Sequence, residues 1–304
     1  MKQTYILILL LCLISCKNET KTSSGTFNVV TTTSMITEMV KEVGGDVIEV
    51  EGLMGSGIDP HLYKASEGDV TKIAQADLIF YNGLHLEGKL VEVFEKMDRT
   101  GIQTVAVGEV INKNKLIGSE YFASNFDPHI WFNIEFWQQC TDFVALSLAD
   151  KLPQHRELFL ANAEAYKKKL ADLQAEIKAE IDQLPKEKRI LITAHDAFNY
   201  FGQAFDFEVI GLQGLSTATE AGVKDVQRLS DVIVSRKIKA IFVESSVPRK
   251  TIEALQEAVK AKGEQVAIGG TLYSDALGTK NTQEGTYVGM YRHNVNTIVN
   301  ALNQ

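Results

Sequence analysis

The chain has 304 residues, of which 45% are hydrophobic and 23% are charged. This composition is typical of a globular protein and excludes a disordered or fibrous one, and the length suits two domains better than a single core. Lysine and arginine number 31 against 39 acidic residues, for a net charge of −8. The chain therefore has no basic excess of the kind that binds nucleic acid.

Residues 1–16 predict a lipoprotein signal peptide. A positive Lys2 precedes an apolar run at 5–14, which is too short for a membrane-spanning helix of about 20 residues. The run ends in Leu13-Ile14-Ser15-Cys16, which resembles the bacterial lipoprotein box, whose cysteine is acylated and becomes the mature N-terminus. An ordinary signal peptide with an incidental cysteine is the alternative. Residues 17–25 are small and polar and predict a flexible tether.

From residue 26 the pattern alternates between strands and helices, which predicts α/β layers with mostly parallel sheets. The predicted elements are a strand at 26–33, a helix at 34–43 capped by Ser34, a strand at 47–53, a helix at 69–75, a strand at 77–81, a helix at 87–97, a strand at 103–107, a loop at 108–127 and a helix at 134–151. These elements predict an N-terminal α/β lobe at 26–152.

A long helical stretch follows at 153–184. Its apolar residues recur mostly at intervals of three and four, the helical period: Leu158, Tyr166, Leu170, Leu173, Ile177, Ile181 and Leu184. Some 30 residues would make a rod of roughly 45 Å, long enough to link two lobes, and a plain amphipathic surface helix is the alternative. We assign 153–185 to a linking helix.

The alternation then restarts and predicts a C-terminal α/β lobe at 186–304. Its predicted elements are strands at 189–193, 207–212, 240–243 and 266–268, and helices at 223–235, 250–262 and 284–302.

Three of the six histidines have similar settings. His61 and His129 each follow an Asp-Pro pair, and His195 follows a predicted strand. Proline fixes its own φ and biases its neighbour to an extended form, so each Asp-Pro-His presents an imidazole rigidly, as a metal ligand requires. For one such histidine alone, a core or loop residue with satisfied nitrogens is the alternative. Three together favour a metal site.

Asp275 completes the candidate site, because it also follows a predicted strand, and strand ends are where ligands of α/β sheets gather. Three neutral imidazoles and one carboxylate would suit zinc and be usable by manganese. Three aspartates that adjoin the histidines are candidates to orient these ligands, with solvated turn aspartates as the alternative: Asp59, Asp127 and Asp196. Glu220, in a loop, and Glu244, after a predicted strand, are further candidates to support the ligands. Glu244 could instead pair with Arg249, and His85 is expected not to be a ligand.

Five segments carry a resemblance to a known family. They are GIDPHLY at 57–63, ADLIFYNGL at 76–84, DPHIW at 127–131, IFVESS at 241–246 and EGTY at 284–287. With them, nearly everything after the tether resembles the metal-binding receptors of ABC transporters, the solute-binding lipoproteins that serve zinc and manganese uptake.

The resemblance implies two α/β lobes joined by one rigid helix, with the metal site in the cleft between them. It implies His61, His129, His195 and Asp275 as ligands of a zinc or manganese ion that is cargo, in a binding protein rather than an enzyme. It further implies a monomer outside the cytoplasm, anchored to a bacterial membrane only through its lipid, which delivers the ion to a membrane permease.

Two departures bear on the choice of metal. Zinc-specific members often carry a histidine-rich loop in the first lobe, whereas residues 108–127 contain no histidine. Manganese-specific members usually have glutamate as the third ligand, where this chain has His195. The chain is most similar to the treponemal-type subgroup with three histidines and one aspartate, which leaves zinc and manganese open.

Two other functions are the alternatives. A secreted zinc hydrolase would need an open coordination position and a general base, and the sequence has no His-Glu-x-x-His helix. A surface adhesin with a structural metal would be a binding module for host proteins, yet the sequence has no repeats or stalk to support it.

Overall fold

The structure is a computed structural model that describes residues 26–120, 122 and 124–304. The predicted signal peptide at 1–16, its lipidation site Cys16 and the tether at 17–25 lie outside these residues. Among the helices that the structure describes, none is both long and apolar enough to span a bilayer.

The N-terminal part is built on a parallel sheet. Its strands are β1 (Phe27–Thr31), β2 (Ile48–Gly52), β3 (Leu78–Tyr81) and β4 (Gln103–Ala106), in the order β2-β1-β3-β4. Its helices are α1 (Ser34–Gly44), α2 (Glu67–Gln75) and α3 (Val91–Arg99).

The cap of α1 is Thr33, whose hydroxyl accepts the N–H of Ile36, so the prediction of Ser34 as the cap was wrong. The Ser34 hydroxyl instead accepts the N–H of Leu277 at 2.8 Å.

Two antiparallel helices follow, α4 (Ile134–Lys151) and α5 (Arg156–Ile181), and a 3₁₀ turn at Pro153–His155 precedes α5. The predicted long helix is therefore confirmed, although its α-helical part is shorter. Leu158 is 42% exposed, whereas its neighbour Phe159 is buried. The buried face thus begins at Phe159, because α5 packs on α1 and α4 of one lobe and on α9 (Tyr287–Leu302) of the other.

The C-terminal part contains two parallel strand pairs. β5 (Ile190–His195) pairs with β6 (Glu208–Gln213), and β7 (Ala240–Glu244) pairs with β8 (Ala267–Leu272). β7 also lies beside β5. The helices are α6 (Asn199–Phe205), α7 (Val223–Arg236), α8 (Lys250–Ala261) and α9. Helix α6 was not predicted, and α9 begins three residues later than predicted because the hydroxyl of Thr286 caps it.

One large hydrophobic core connects the two lobes, and each lobe also has a smaller hydrophobic cluster of its own. A single cluster of buried side chains runs from Val29 in β1 to Leu302 at the end of α9. Trp131 and Trp137 are both fully buried within it, and truncating such a side chain typically costs about 3–5 kcal/mol. The parallel sheets and the long helix α5 confirm the predicted two-lobed α/β fold.

Candidate metal centre

The four predicted ligand residues converge at the carboxyl ends of the parallel strands. His195 is the last residue of β5, and Asp275 lies just beyond the end of β8. His61 lies in the loop after β2, and His129 immediately precedes a 3₁₀ turn between β4 and α4. All four side chains are buried. Loops at this edge of a parallel sheet meet in one crevice, which brings distant parts of the chain together.

The distances between their polar atoms match those of ligands around one ion. Nε2 of His61 lies 3.3 Å from Nε2 of His129, which lies 3.6 Å from Oδ1 of Asp275. Nε2 of His195 lies 3.4 Å from Oδ2 of Asp275, and all four ligand atoms lie within 4.8 Å of one another. A tetrahedral zinc ion with bonds of about 2.1 Å holds its ligands about 3.4 Å apart.

Two of these atoms have no hydrogen-bond partner among the residues that the structure describes. They are Nε2 of His195 and Oδ1 of Asp275, both buried. An unpaired buried polar atom costs about 1–3 kcal/mol, and most such atoms in proteins are paired. A cation bound between these atoms would satisfy both, so the donor set fits a metal ion.

His129 is oriented by the buried carboxylate of Asp127. Its Nδ1 lies 2.7 Å from Oδ1 of Asp127, and the same oxygen accepts the backbone N–H of His129 at 2.9 Å. The other oxygen of Asp127 accepts a hydrogen bond from Asn199 at 3.0 Å. A proton held on Nδ1 leaves the lone pair of Nε2 free for a metal, the usual arrangement of a histidine ligand. Asp127 is therefore not a solvated turn residue.

Glu244 performs the corresponding role for His195. Its Oε1 accepts the backbone N–H of His195 at 2.9 Å. Its Oε2 lies 2.6 Å from Nδ1 of His195, close enough for an ionic contact although outside hydrogen-bond alignment. Arg249, the alternative partner, binds Glu253 at 2.8 Å. Glu244 therefore orients a predicted ligand.

The electrostatics of the cluster set the protonation states that a metal would meet. Burial lowers the pKa of His61 to about 3 against the opposing pull of Asp275, so this imidazole is neutral at physiological pH. Burial would also lower the pKa of His195, but Glu244 and Asp275 together raise it well above its usual value. Burial would raise the pKa of Asp275, and the three imidazoles, His195 foremost, hold it well below its usual range. A metal bound by Nε2 of His195 would have to displace its proton, so a lower pH would weaken such binding.

The remaining candidates lie outside the cluster of donor atoms. Asp59 accepts the backbone N–H of His61 at 2.8 Å rather than a ring N–H, and Asp196 accepts the N–H of Gly211 at 2.6 Å. Glu220 is exposed. His85 is also exposed and lines a cavity of about 360 Å³ outside His61.

Three hydroxyl groups near the site were not predicted from the sequence. Ser246 donates to Oδ2 of Asp275 at 3.2 Å, Thr217 donates to Oδ2 of Asp59 at 2.5 Å, and Ser34 anchors the loop after Asp275. Serine and threonine are common in loops, so only the Glu-Ser-Ser run after β7 gave any signal.

Comparisons with known proteins agree with this geometry. The model of the family described as zinc-uptake complex component A, periplasmic (ZnuA), matches residues 29–301. The manganese-binding lipoprotein MntA of Bacillus subtilis is 48% identical over 93% of this chain and 92% of its own. The zinc-binding protein TroA of Treponema pallidum is 49% identical over 90% of this chain and 88% of its own. The solved structure of the periplasmic zinc-binding protein TroA from Treponema pallidum superposes with a TM-score of 0.89 at 48% identity, covering 91% of this chain and 99% of that one.

Proposed function

Because the chain belongs to the zinc-uptake complex component A family, we propose that it is the solute-binding component of an ABC importer. It captures a divalent transition metal, zinc or manganese, outside the cytoplasm and delivers the ion to a membrane permease. The observation that carries this proposal is the buried cluster of three imidazoles and one carboxylate whose ligand atoms all lie within 4.8 Å of one another.

We propose His61, His129, His195 and Asp275 as the ligands. Four protein donors complete a tetrahedral shell, whereas a hydrolytic zinc site keeps a position open for water. This chemistry favours binding without catalysis. The ion is therefore cargo, and it has to leave the site intact.

The proposed division into domains places the four ligands on two lobes. We propose lobes at 26–152 and 186–304, each contributing two of the four ligands, with 153–185 as the link. Since one chain supplies the complete donor set, we propose that the protein acts as a monomer. Its partner is the permease, which must accept the ion from the cleft between the lobes.

Elemental analysis tests the function. Protein purified without added metal should retain zinc or manganese at about one ion per chain, and a strong chelator should remove it. A strain that lacks the protein should take up less of the same metal. Retention of neither metal, or uptake unchanged by the deletion, would contradict the proposed function.

The predicted anchor gives a second test. Cys16→Ala should release the protein from membranes or block its processing, because acylation of this cysteine is the only proposed membrane attachment. Detergent partitioning measures the outcome, and Cys12→Ala, four residues upstream in the predicted signal peptide, is the matched control. Membrane association of Cys16→Ala equal to that of the control would rule out the anchor while leaving metal binding unaffected.

A further inference from the structure

Three of the four proposed ligands rest on firmly held backbone. The segment that carries His129, residues 127–132, is buried throughout. Trp131 donates from its indole to the carbonyl of Ser274 at 2.9 Å, and Tyr287 donates to the carbonyl of Trp131 at 2.6 Å. Tyr200 donates to the carbonyl of Asp127 at 3.0 Å. These bonds fix the segment to the lobe that carries His195 and Asp275.

The loop that carries His61 is held much less firmly. We call residues 55–63 the His61 loop. Its last two residues are tied to their own lobe, since Tyr63 donates to Asp69 at 2.7 Å and the carbonyl of Leu62 accepts from Lys89 at 3.4 Å. Ahead of them, Ile58 is 39% exposed, and the loop's own backbone bond, from the N–H of Ile58 to the carbonyl of Gly55, is long at 3.4 Å. Few buried contacts and exposed backbone are the features of a segment that opens locally.

One hydrogen bond ties the His61 loop to the opposite lobe among the residues that the structure describes. The hydroxyl of Thr217, on the loop after β6, donates to Oδ2 of Asp59 at 2.5 Å. The other oxygen of Asp59 accepts the backbone N–H of His61. Asp59 therefore shapes the turn that presents His61 and also holds this turn against the second lobe.

The ring of His61 lacks the support that the other two imidazoles have. Asp127 lies beside Nδ1 of His129, and Glu244 lies beside Nδ1 of His195. Within the described part of the chain, no protein group accepts a hydrogen bond from Nδ1 of His61. Partners of this kind fix the orientation of a ligand, so His61 is the ligand that moves most easily.

We propose that the His61 loop is the moving wall of the metal site, and that the hydrogen bond from Thr217 to Asp59 is the latch that sets how long the ion stays. This inference rests on the proposed function, since cargo has to be released. When the latch opens, His61 withdraws toward the outer cavity that it lines with Phe122 and Ser216. The ion then keeps three ligands and gains an open position for the next acceptor.

The dissociation rate of the bound metal tests the latch. Thr217→Val removes the hydroxyl with little change in shape, and the off-rate of zinc into excess chelator, measured by stopped flow, should rise about ten-fold or more, since a hydrogen bond to a charged group is lost. Thr217→Ser should restore an off-rate close to the wild-type value. Thr219→Val, an exposed threonine on the same loop, is the control and should leave the rate unchanged.

Two further results separate a latch from a general loss of stability. The melting temperature of the metal-free protein should be nearly the same for Thr217→Val and Thr219→Val. In the wild-type protein, hydrogen exchange should be much faster in the His61 loop than in residues 127–132, and metal binding should slow it. Equal off-rates for Thr217→Val and wild type, or equal protection of the two segments, would overturn the latch although zinc still binds. Failure of the wild-type protein to bind zinc or manganese would instead overturn the proposed function.

Discussion

Asp275→Ala should lower the affinity for zinc by more than about 100-fold, the upper end of what loss of an orienting partner costs. The substitution removes the one carboxylate among the four proposed ligands and leaves three imidazoles around a divalent ion. It also removes the carboxylate that lies 3.4 Å from Nε2 of His195 and 3.6 Å from Nε2 of His129. Competition titration against a zinc indicator measures the loss.

Two variants calibrate this result. Asp127→Ala removes the partner of His129 without removing a ligand, so its affinity should fall by about 10–100-fold. Asp150→Ala alters an aspartate whose side chain is 81% exposed at the end of α4, and its affinity should equal that of the wild type. An Asp275→Ala protein that stays folded and binds zinc as tightly as Asp150→Ala would exclude Asp275 as a ligand.

The sequence was sufficient to predict the elements that position the site. Runs of apolar residues such as those in β3 and β7 have the signature of buried parallel strands, and the buried strand β5 ends in His195. The strand before Asp275, β8, contains two glycines and is mostly half-buried or exposed, so its apolar pattern is weaker. The short helix α6 was not predicted, because its seven residues are too few to show a helical period. Leu158 was misassigned because periodicity gives the spacing of a buried face, whereas the neighbouring helices decide where that face begins.

The two Asp-Pro-His motifs show most clearly where sequence reasoning ends. Both aspartates accept the backbone N–H of the following histidine. Asp127 also contacts the ring of His129, whereas Asp59 turns its second oxygen to Thr217. The two identical tripeptides therefore have different roles, because Asn199 binds the second oxygen of Asp127 and Thr217 binds the second oxygen of Asp59. Both partners are distant in sequence from the motifs that they bind. Only the tertiary structure contains that information.

Exchanging one imidazole for a carboxylate should change which metal the site prefers. His195→Glu would leave two imidazoles and two carboxylates, and manganese favours oxygen donors and higher coordination numbers than zinc does. A carboxylate can bind through both oxygens without moving the end of β5. We therefore expect the affinity for zinc to fall more than the affinity for manganese, although zinc can still bind more tightly because the Irving–Williams order favours it.

The surroundings of His195 determine how this variant has to be designed. Oε2 of Glu244 lies 2.6 Å from Nδ1 of His195, and Oδ2 of Asp275 lies 3.4 Å from Nε2. A glutamate at this position would face two carboxylates, and their repulsion would weaken the binding-competent state before any metal arrives. The double variant His195→Glu/Glu244→Gln removes one of these charges and keeps an oxygen that can accept the N–H of residue 195. It should therefore bind manganese more tightly than His195→Glu alone.

Competition titrations of zinc and manganese on the wild type, His195→Glu and the double variant measure this effect. His155→Glu, placed just before α5 and away from the cluster, controls for the added charge. The ratio of zinc affinity to manganese affinity should fall in both variants of His195 and stay constant in His155→Glu. A ratio that stays constant or rises in His195→Glu would mean that the third imidazole does not determine the metal preference. The selection would then lie in the number of ligands that the cleft can bring to the ion.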